Sequence, residues 1–291
     1  MFRKRRTFNK EEKSYTFASY INQLGASFLG TDIDRYILAF FSTNIQVAIY
    51  AVATNILKKL IFFLPHTLFK DVLEPSIYRR YDERQSQTEL NDIFQIIINL
   101  NNYVIFLILA IFIPLGRELL SFVFDKEYIQ DAYFPLLVFL CFLIIYVFPI
   151  GLITKSIKKP EYLIYSKITV ILNIALGIPM AMKYGALGIA IATALSTIAK
   201  NIIVFILTRR IIKLDIPFYS YLKLSASVLG IILILNTMSS YINVHVLIKL
   251  LFIISLYLVM NKFISIYSKK QKNILMRFFP KKIYGFVTWI I

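Results

Sequence analysis

Residues 93–115 read IFQIIINLNNYVIFLILAIFIPL, with no charged side chain in the run. A helix of about 20 residues rises roughly 30 Å, the thickness of a bilayer's hydrocarbon core. In lipid the backbone must satisfy its own polar groups, which leaves only helices and closed barrels. Here the apolar residues are continuous rather than alternating, so the stretch is a membrane-spanning helix. Asn99, Asn101 and Asn102 within it have the character of hydrogen-bonding glue between helices. Working outward, seven further segments have the same length and apolar character, at roughly 18–42, 46–68, 133–153, 163–182, 185–207, 222–239 and 244–261. A hydrophobic content of 58% and a mean hydropathy of +0.68 exclude an ordinary soluble domain. The expected fold class is all-α, a polytopic membrane helical bundle of about eight transmembrane helices.

Basic residues order these segments. The chain carries 33 Lys and Arg and a formal net charge of +17. Six cations precede the first segment, and four occupy each of the second, fourth and sixth gaps. Seven more follow Asn261, so 25 of the 33 lie on one side of the pattern. The odd gaps hold only Arg117, Lys126 and Lys183. Positive loops remain in the cytoplasm, so both termini and the even gaps are expected there, with the chain multi-pass in the membrane. Cations beside spans meet anionic lipid headgroups, and these basic stretches belong to no nucleic-acid-binding fold; membrane lipids, not nucleic acid, are the expected partners. The first segment is too long and polar for a cleaved signal peptide.

The gaps are short. That between the fifth and sixth segments is a Tyr184-Gly185 turn, which predicts a tight antiparallel hairpin. Ala186, Gly188, Ala190, Ala192 and Ala194 follow it, small residues that let helices approach closely. Residues 70–92 are expected to form a surface helix. Residues 116–133, with Leu119, Leu120, Phe122 and Phe124 beside charges, suit an interfacial helix. One cysteine, Cys141, and two distant histidines, His66 and His245, give no disulfide and no metal site, and no cofactor is expected. P-loop, G-x-S-x-G and H-E-x-x-H motifs do not occur, so the chain is read as not an enzyme.

Five cations break the pattern by lying inside segments: Arg35, Lys58, Lys59, Lys200 and Lys249. The first segment carries Asp32, Asp34 and Arg35. Asp32 and Arg35 are three apart and can pair on one helical face. Two readings stand: a structural pair that locks this helix to a neighbour, or charges lining a hydrated cavity. In the second segment Thr54 and Asn55 lie four residues before Lys58 and Lys59. Lys59 is about ten residues from either end, some 15 Å by helical rise, which is far for snorkelling. Cations in a cavity would attract phosphate or carboxylate; pairing with Asp32 or Asp34 is the competing role. Lys200 joins Thr193, Ser196 and Asn201 on a polar side of the sixth segment, and Lys249 is expected to snorkel.

Three stretches in order, TDIDRYILAFFSTNIQVAIYAVA (31–53), FVFDKEYIQDAYFPLLVF (122–139) and LNIALGIPMAMKYGALGIAIATALS (172–196), resemble the C-terminal half of bacterial polysaccharide flippases. These are the O-antigen and capsule repeat-unit transporters of the multidrug/oligosaccharidyl-lipid/polysaccharide exporter superfamily. The resemblance implies a basic tail over 1–14, a six-helix lobe over 15–210, two further helices over 211–262 and a basic amphipathic tail over 263–291. It also implies a cytoplasmic-membrane protein that flips a polyprenyl-diphosphate-linked oligosaccharide, with a second lobe or another copy of the chain as partner. The family's cavity cations would correspond to Arg35 and Lys58 or Lys59; the polar sides of their spans add Asn55 and Lys200 as substrate-binding candidates, with Asp32 and Asp34 gating through ion pairs. A drug or cation exporter of the same superfamily would line its cavity with acids. A membrane-embedded glycan polymerase or transferase would carry a larger outer loop bearing catalytic groups.

Overall fold

The computed structural model describes residues 31–84, 86–124, 130–159, 161–239 and 245–262, with a few isolated positions on either side. Every regular element among them is helical, and the chain is a polytopic helical membrane bundle. In chain order the helices are α1 (Thr31–Phe41), α2 (Asn44–Phe62), α3 (Pro65–Leu68), α4 (Lys70–Arg84), α5 (Gln87–Val123), α6 (Tyr133–Tyr146), α7 (Ile150–Ser156), α8 (Glu161–Tyr165), α9 (Thr169–Arg209), α10 (Phe218–Ser239) and α11 (Val246–Lys262). Five stretches are long and apolar enough to cross a membrane: Asn44–Phe62, Gln87–Val123, Tyr133–Ser156, Glu161–Arg209 and Phe218–Thr237. The basic N-terminal tail, the start of the first expected span and most of the C-terminal tail lie outside the described residues.

The fourth stretch makes two passes. At Gly185 the backbone leaves the helical region, with φ +56° and ψ −133°, a conformation that L side chains rarely adopt. The chain reverses there, so that Thr193 Oγ lies 3.3 Å from Asn173 Oδ1, twenty residues back. A Cβ at Gly188 would collide with the Met180 carbonyl oxygen, so the small residues are what allow the two arms to close. Gln46 of α2 holds the turn: its side-chain oxygen accepts the Ala186 N–H at 2.8 Å.

Two expected spans are broken by proline. Pro65 follows an extended Leu64 and opens α3, and Pro149 separates α6 from α7. Proline lacks the N–H that continues a helix. Asn101 of α5 compensates in part at the first break, where its side-chain oxygen accepts the His66 N–H at 3.3 Å. Of the expected surface helix over 70–92, residues 70–84 form α4 and residues 87–92 open α5. The expected interfacial helix over 116–133 differs. Residues 116–123 continue α5 without interruption past Pro114, because a proline near the end of a 37-residue helix removes only one of its bonds.

Helix α9 packs on α6 and α1, α2 on α1 and α6, and α5 on α6, α10 and α11. The main core gathers Leu38, Tyr50, Ile105, Leu136, Leu140 and Ile189, all fully buried. A second core joins Ile77, Leu90, Phe94, Ile153, Ile212 and Leu214, where Phe94 and Phe148 meet edge to face at 5.3 Å. On α10, Phe218, Leu222, Leu229 and Leu233 are exposed along one side, as a lipid-facing helix requires.

The last helix and the described residues beyond it are fastened to α5. Tyr257 donates to the Tyr103 carbonyl at 2.7 Å, and Asn99 donates to the Ile266 carbonyl at 3.2 Å. Further along, Gln271 bonds Gln95 at 2.9 Å and Lys270 pairs with Asp92 at 2.5 Å. At the opposite end of α11, Lys249 reaches both carboxylate oxygens of Glu118 at 3.1 Å. Lys249 therefore has a protein partner, where the sequence alone suggested a snorkelling side chain.

Candidate functional site

The charges of α1 divide between two environments because successive helical residues point about 100° apart. Asp34 points inward and is 1% exposed. Its Oδ2 accepts the Tyr50 hydroxyl at 2.5 Å and the Thr193 hydroxyl at 2.8 Å. Its Oδ1 accepts the Asn173 amide at 2.9 Å. One carboxylate thus ties α1 to α2 and to both arms of the α9 hairpin. Each donor is neutral, so Asp34 does its joining without a cation.

Asp32 and Arg35 point the other way. Their side chains are 64% and 31% exposed, and the pair sits at 3.8 Å. Arg35 reaches across to α2, donating to Thr54 Oγ1 and Asn55 Oδ1, both at 3.3 Å. Thr54 is buried and its own hydroxyl donates to the Tyr50 carbonyl at 2.9 Å. Asn55 is exposed beside it, and one turn further along α2 come Lys58 and Lys59, also exposed. Among the described residues neither lysine makes an ion pair or hydrogen bond. Asp32, Arg35, Asn55, Lys58 and Lys59 therefore share the α1–α2 side of the bundle.

Depth decides what that side can face. Helix α2 ends at Phe62, only three residues after Lys59, which alone would put the lysine near an interface. The chain then breaks at Leu64 and enters the short α3, where His66 bonds Asn101 inside the 93–115 run of α5. Lys58 and Lys59 both lie within the apolar span Asn44–Phe62, in its last two turns. A charge at the centre of a spanning helix costs about 2.5–3.5 kcal/mol on insertion scales, and such groups face protein or water. The surroundings are otherwise apolar: Tyr36, Phe40, Ile45 and Phe62 are exposed on the same two helices.

Lys200 lies elsewhere on the bundle. It is half-buried in the second arm of α9, near Lys167 at the base of the first. No contact joins it to Arg35, Lys58 or Lys59 among the described residues. Its neighbour Asn201 donates to the Ile145 carbonyl, and Ser196 bonds within its own helix at 2.9 Å. Among the described residues no group of three or more His, Cys, Asp or Glu is placed to hold a metal ion.

Tyr50 and Asn173 belong to the site and have no signal in the sequence that marks them. Thr193 carried one, as part of a polar stripe, but not its tie to Asp34. A buried acid in a spanning helix must find donors. Which donors it finds depends on helix packing, not on local spacing.

No protein-family profile matches this sequence, and no curated protein matches it. Among solved structures, the fold is similar to that described as "Lipid II flippase MurJ, inward closed conformation", with a TM-score of 0.65 and 16% sequence identity. The likeness covers 88% of this chain and 56% of that one, so this chain spans little more than half the length of the protein it matches. At this identity the likeness is one of fold.

Proposed function

We propose that this chain takes part in flipping a polyprenyl-diphosphate-linked oligosaccharide across the bacterial inner membrane, in the assembly of a polysaccharide. It acts as a transporter component and not as an enzyme. The observation that carries this reading is the α1–α2 side, where Arg35 bonds Asn55 and the exposed Lys58 and Lys59 follow one turn on, within a span. Cations inside a span attract a phosphate group as it crosses, because the low-dielectric surroundings strengthen the attraction. The fold shared with a lipid II flippase supports the same class of cargo, a saccharide on a lipid-linked phosphate. The distribution of the 25 flanking cations supports cytoplasmic termini.

In this reading Lys58 and Lys59 receive the diphosphate, Arg35 and Asn55 orient it, and the lipid tail stays in the bilayer. Asp32 competes for the same cations and so gates the site. Asp34 holds the α1 helix in place behind them, and Lys200 acts at the hairpin base. A drug or cation exporter is favoured less, because the acid best placed to bind a cation, Asp34, is already engaged by three donors. The test is complementation of a flippase-deficient strain by the chain and by Lys58→Ala/Lys59→Ala. The double variant is expected to abolish complementation at unchanged membrane level; full activity in that variant overturns the proposal.

A further inference from the structure

The mouth of the α9 hairpin gathers two lysines and no acid that is free to pair with them. Along the arms from Gly185, a Cβ at Gly177 would lie 3.2 Å from the Ile189 side chain. Four residues further along each arm, Asn173 lies against Thr193. Lys167 is six residues beyond Asn173 on the first side, and Lys200 seven beyond Thr193 on the second. The same facing register brings the two lysines opposite each other at the open end, where both are half-buried and Lys200 feels the charge of Lys167. Among the described residues neither makes an ion pair or a hydrogen bond. The carboxylates nearby are taken, Asp82 by Lys158 at 2.9 Å and Glu161 by Lys159 at 3.4 Å. The hydroxyls of Ser166, Thr169 and Ser196 donate to carbonyls of their own turns.

Two ammonium groups held together without a counter-charge repel each other, and an anion between them is attracted by both. Each offers three N–H donors, which suits the two free oxygens of a phosphodiester shared between them. Ile168 and Ile171 on the first side and Ile202 and Ile206 on the second are each more than half exposed. A water-borne phosphate has no use for such an apolar flank, whereas acyl chains do. We infer that the mouth of the α9 hairpin is a headgroup site for an anionic phospholipid, with Lys167 and Lys200 sharing its phosphate and the acyl chains lying along the exposed isoleucines. Basic pockets between membrane helices take headgroups of this kind. The bound lipid joins the two arms at the end opposite Gly185, where no ion pair between them does so among the described residues. The site is independent of the proposed cargo, since it concerns a resident lipid whatever the chain moves.

Native mass spectrometry and melting curves of the full chain test the site. Protein in phosphatidylcholine, which has no net charge, is titrated with phosphatidylglycerol, which carries one negative charge. The expected result is a retained phosphatidylglycerol and a saturating rise in melting temperature. Lys167→Gln/Lys200→Gln is expected to weaken that binding at least five-fold. Arg210→Gln/Lys213→Gln, which removes two exposed cations just past the second arm, should change it less than two-fold. Lys167→Arg/Lys200→Arg should bind at least as tightly as the parent. In phosphatidylcholine alone the Lys167→Gln/Lys200→Gln variant should melt at or above the parent, because a repulsion has been relieved. Equal weakening by the two glutamine variants means attraction by net charge alone and overturns the inference. So does a Lys167→Gln/Lys200→Gln variant that unfolds in phosphatidylcholine, which would make the lysines structural. Inorganic phosphate that stabilises the parent as well as phosphatidylglycerol does, at matched concentration, would assign the site to free phosphate and overturn the lipid.

Discussion

The seam that α5 makes with α11 and the described residues beyond it, and the side formed by α1 and α2, both carry polar groups, with opposite outcomes. Along the seam partners meet in sequence: Glu118 with Lys249, Tyr103 with Tyr257, Asn99 with Ile266, Gln95 with Gln271 and Asp92 with Lys270. On the α1–α2 side Arg35 bonds Thr54 and Asn55 and pairs with Asp32, yet its buried Nε has no partner among the described residues, while Asp32, Lys58 and Lys59 stand exposed. Polar groups that find partners within the chain hold it together. Those left facing outward are the groups available to something else. The proposed cargo draws on that surplus.

Substitutions separate the two regions, and the largest effect belongs to the open side. Lys58→Leu/Lys59→Leu is expected to reduce complementation to that of an empty vector while the melting temperature in detergent holds or rises, since two exposed charges are removed from an apolar span. A large fall in melting temperature would mean that the lysines hold the fold, and the contrast would fail. Next comes Asp34→Ala, which strands the Tyr50, Asn173 and Thr193 donors at about 1–3 kcal/mol each. It should unfold at markedly lower denaturant and lose the α9 hairpin's protection from hydrogen exchange. Unchanged protection would detach Asp34 from the hairpin.

The seam should respond more gently. Interhelical hydrogen bonds in membranes average about 0.6 kcal/mol and reach roughly 1.7. Tyr257→Phe is accordingly expected to lower stability within that range and leave complementation per folded molecule as it was. Transport lost without stability would make the seam part of the working surface. The smallest effect is expected at its end. Glu118→Gln should cost under about 1 kcal/mol, because the carboxylate is half exposed and screened; the cost should vanish in high salt, which melting curves at two ionic strengths would reveal.

Much of the fold was legible because lipid imposes one rule, continuous apolar length, on every span. The 93–115 run and the hairpin at Gly185 follow from local chemistry, whereas the breaks at Pro65 and Pro149 interrupt two segments read as continuous spans. The extension of α5 through Gly116–Val123 was not legible, since charges beside apolar residues look the same at a helix end and on a membrane surface. At the candidate site, the Asp32–Arg35 pair came directly from its spacing. The separation of Asp34 from Arg35, adjacent in sequence and opposite in role, required knowing which side of α1 meets α9. Lys200 was grouped with Lys58 and Lys59 by charge alone. Its half-buried place near Lys167 depends on how the arms of α9 close.

The reversal at Gly185 has a consequence for how the chain is inserted during synthesis. Glu161–Arg209 reaches the insertion machinery as one hydrophobic stretch of 49 residues, with Lys183 the sole cation near its middle. Flanking cations bias the direction of such a stretch, but the place where it turns is where Gly185 leaves the helical region and Gln46 of α2 accepts the Ala186 N–H. A chain that missed this turn would lose one crossing, and with it the contacts that both arms make to Asp34.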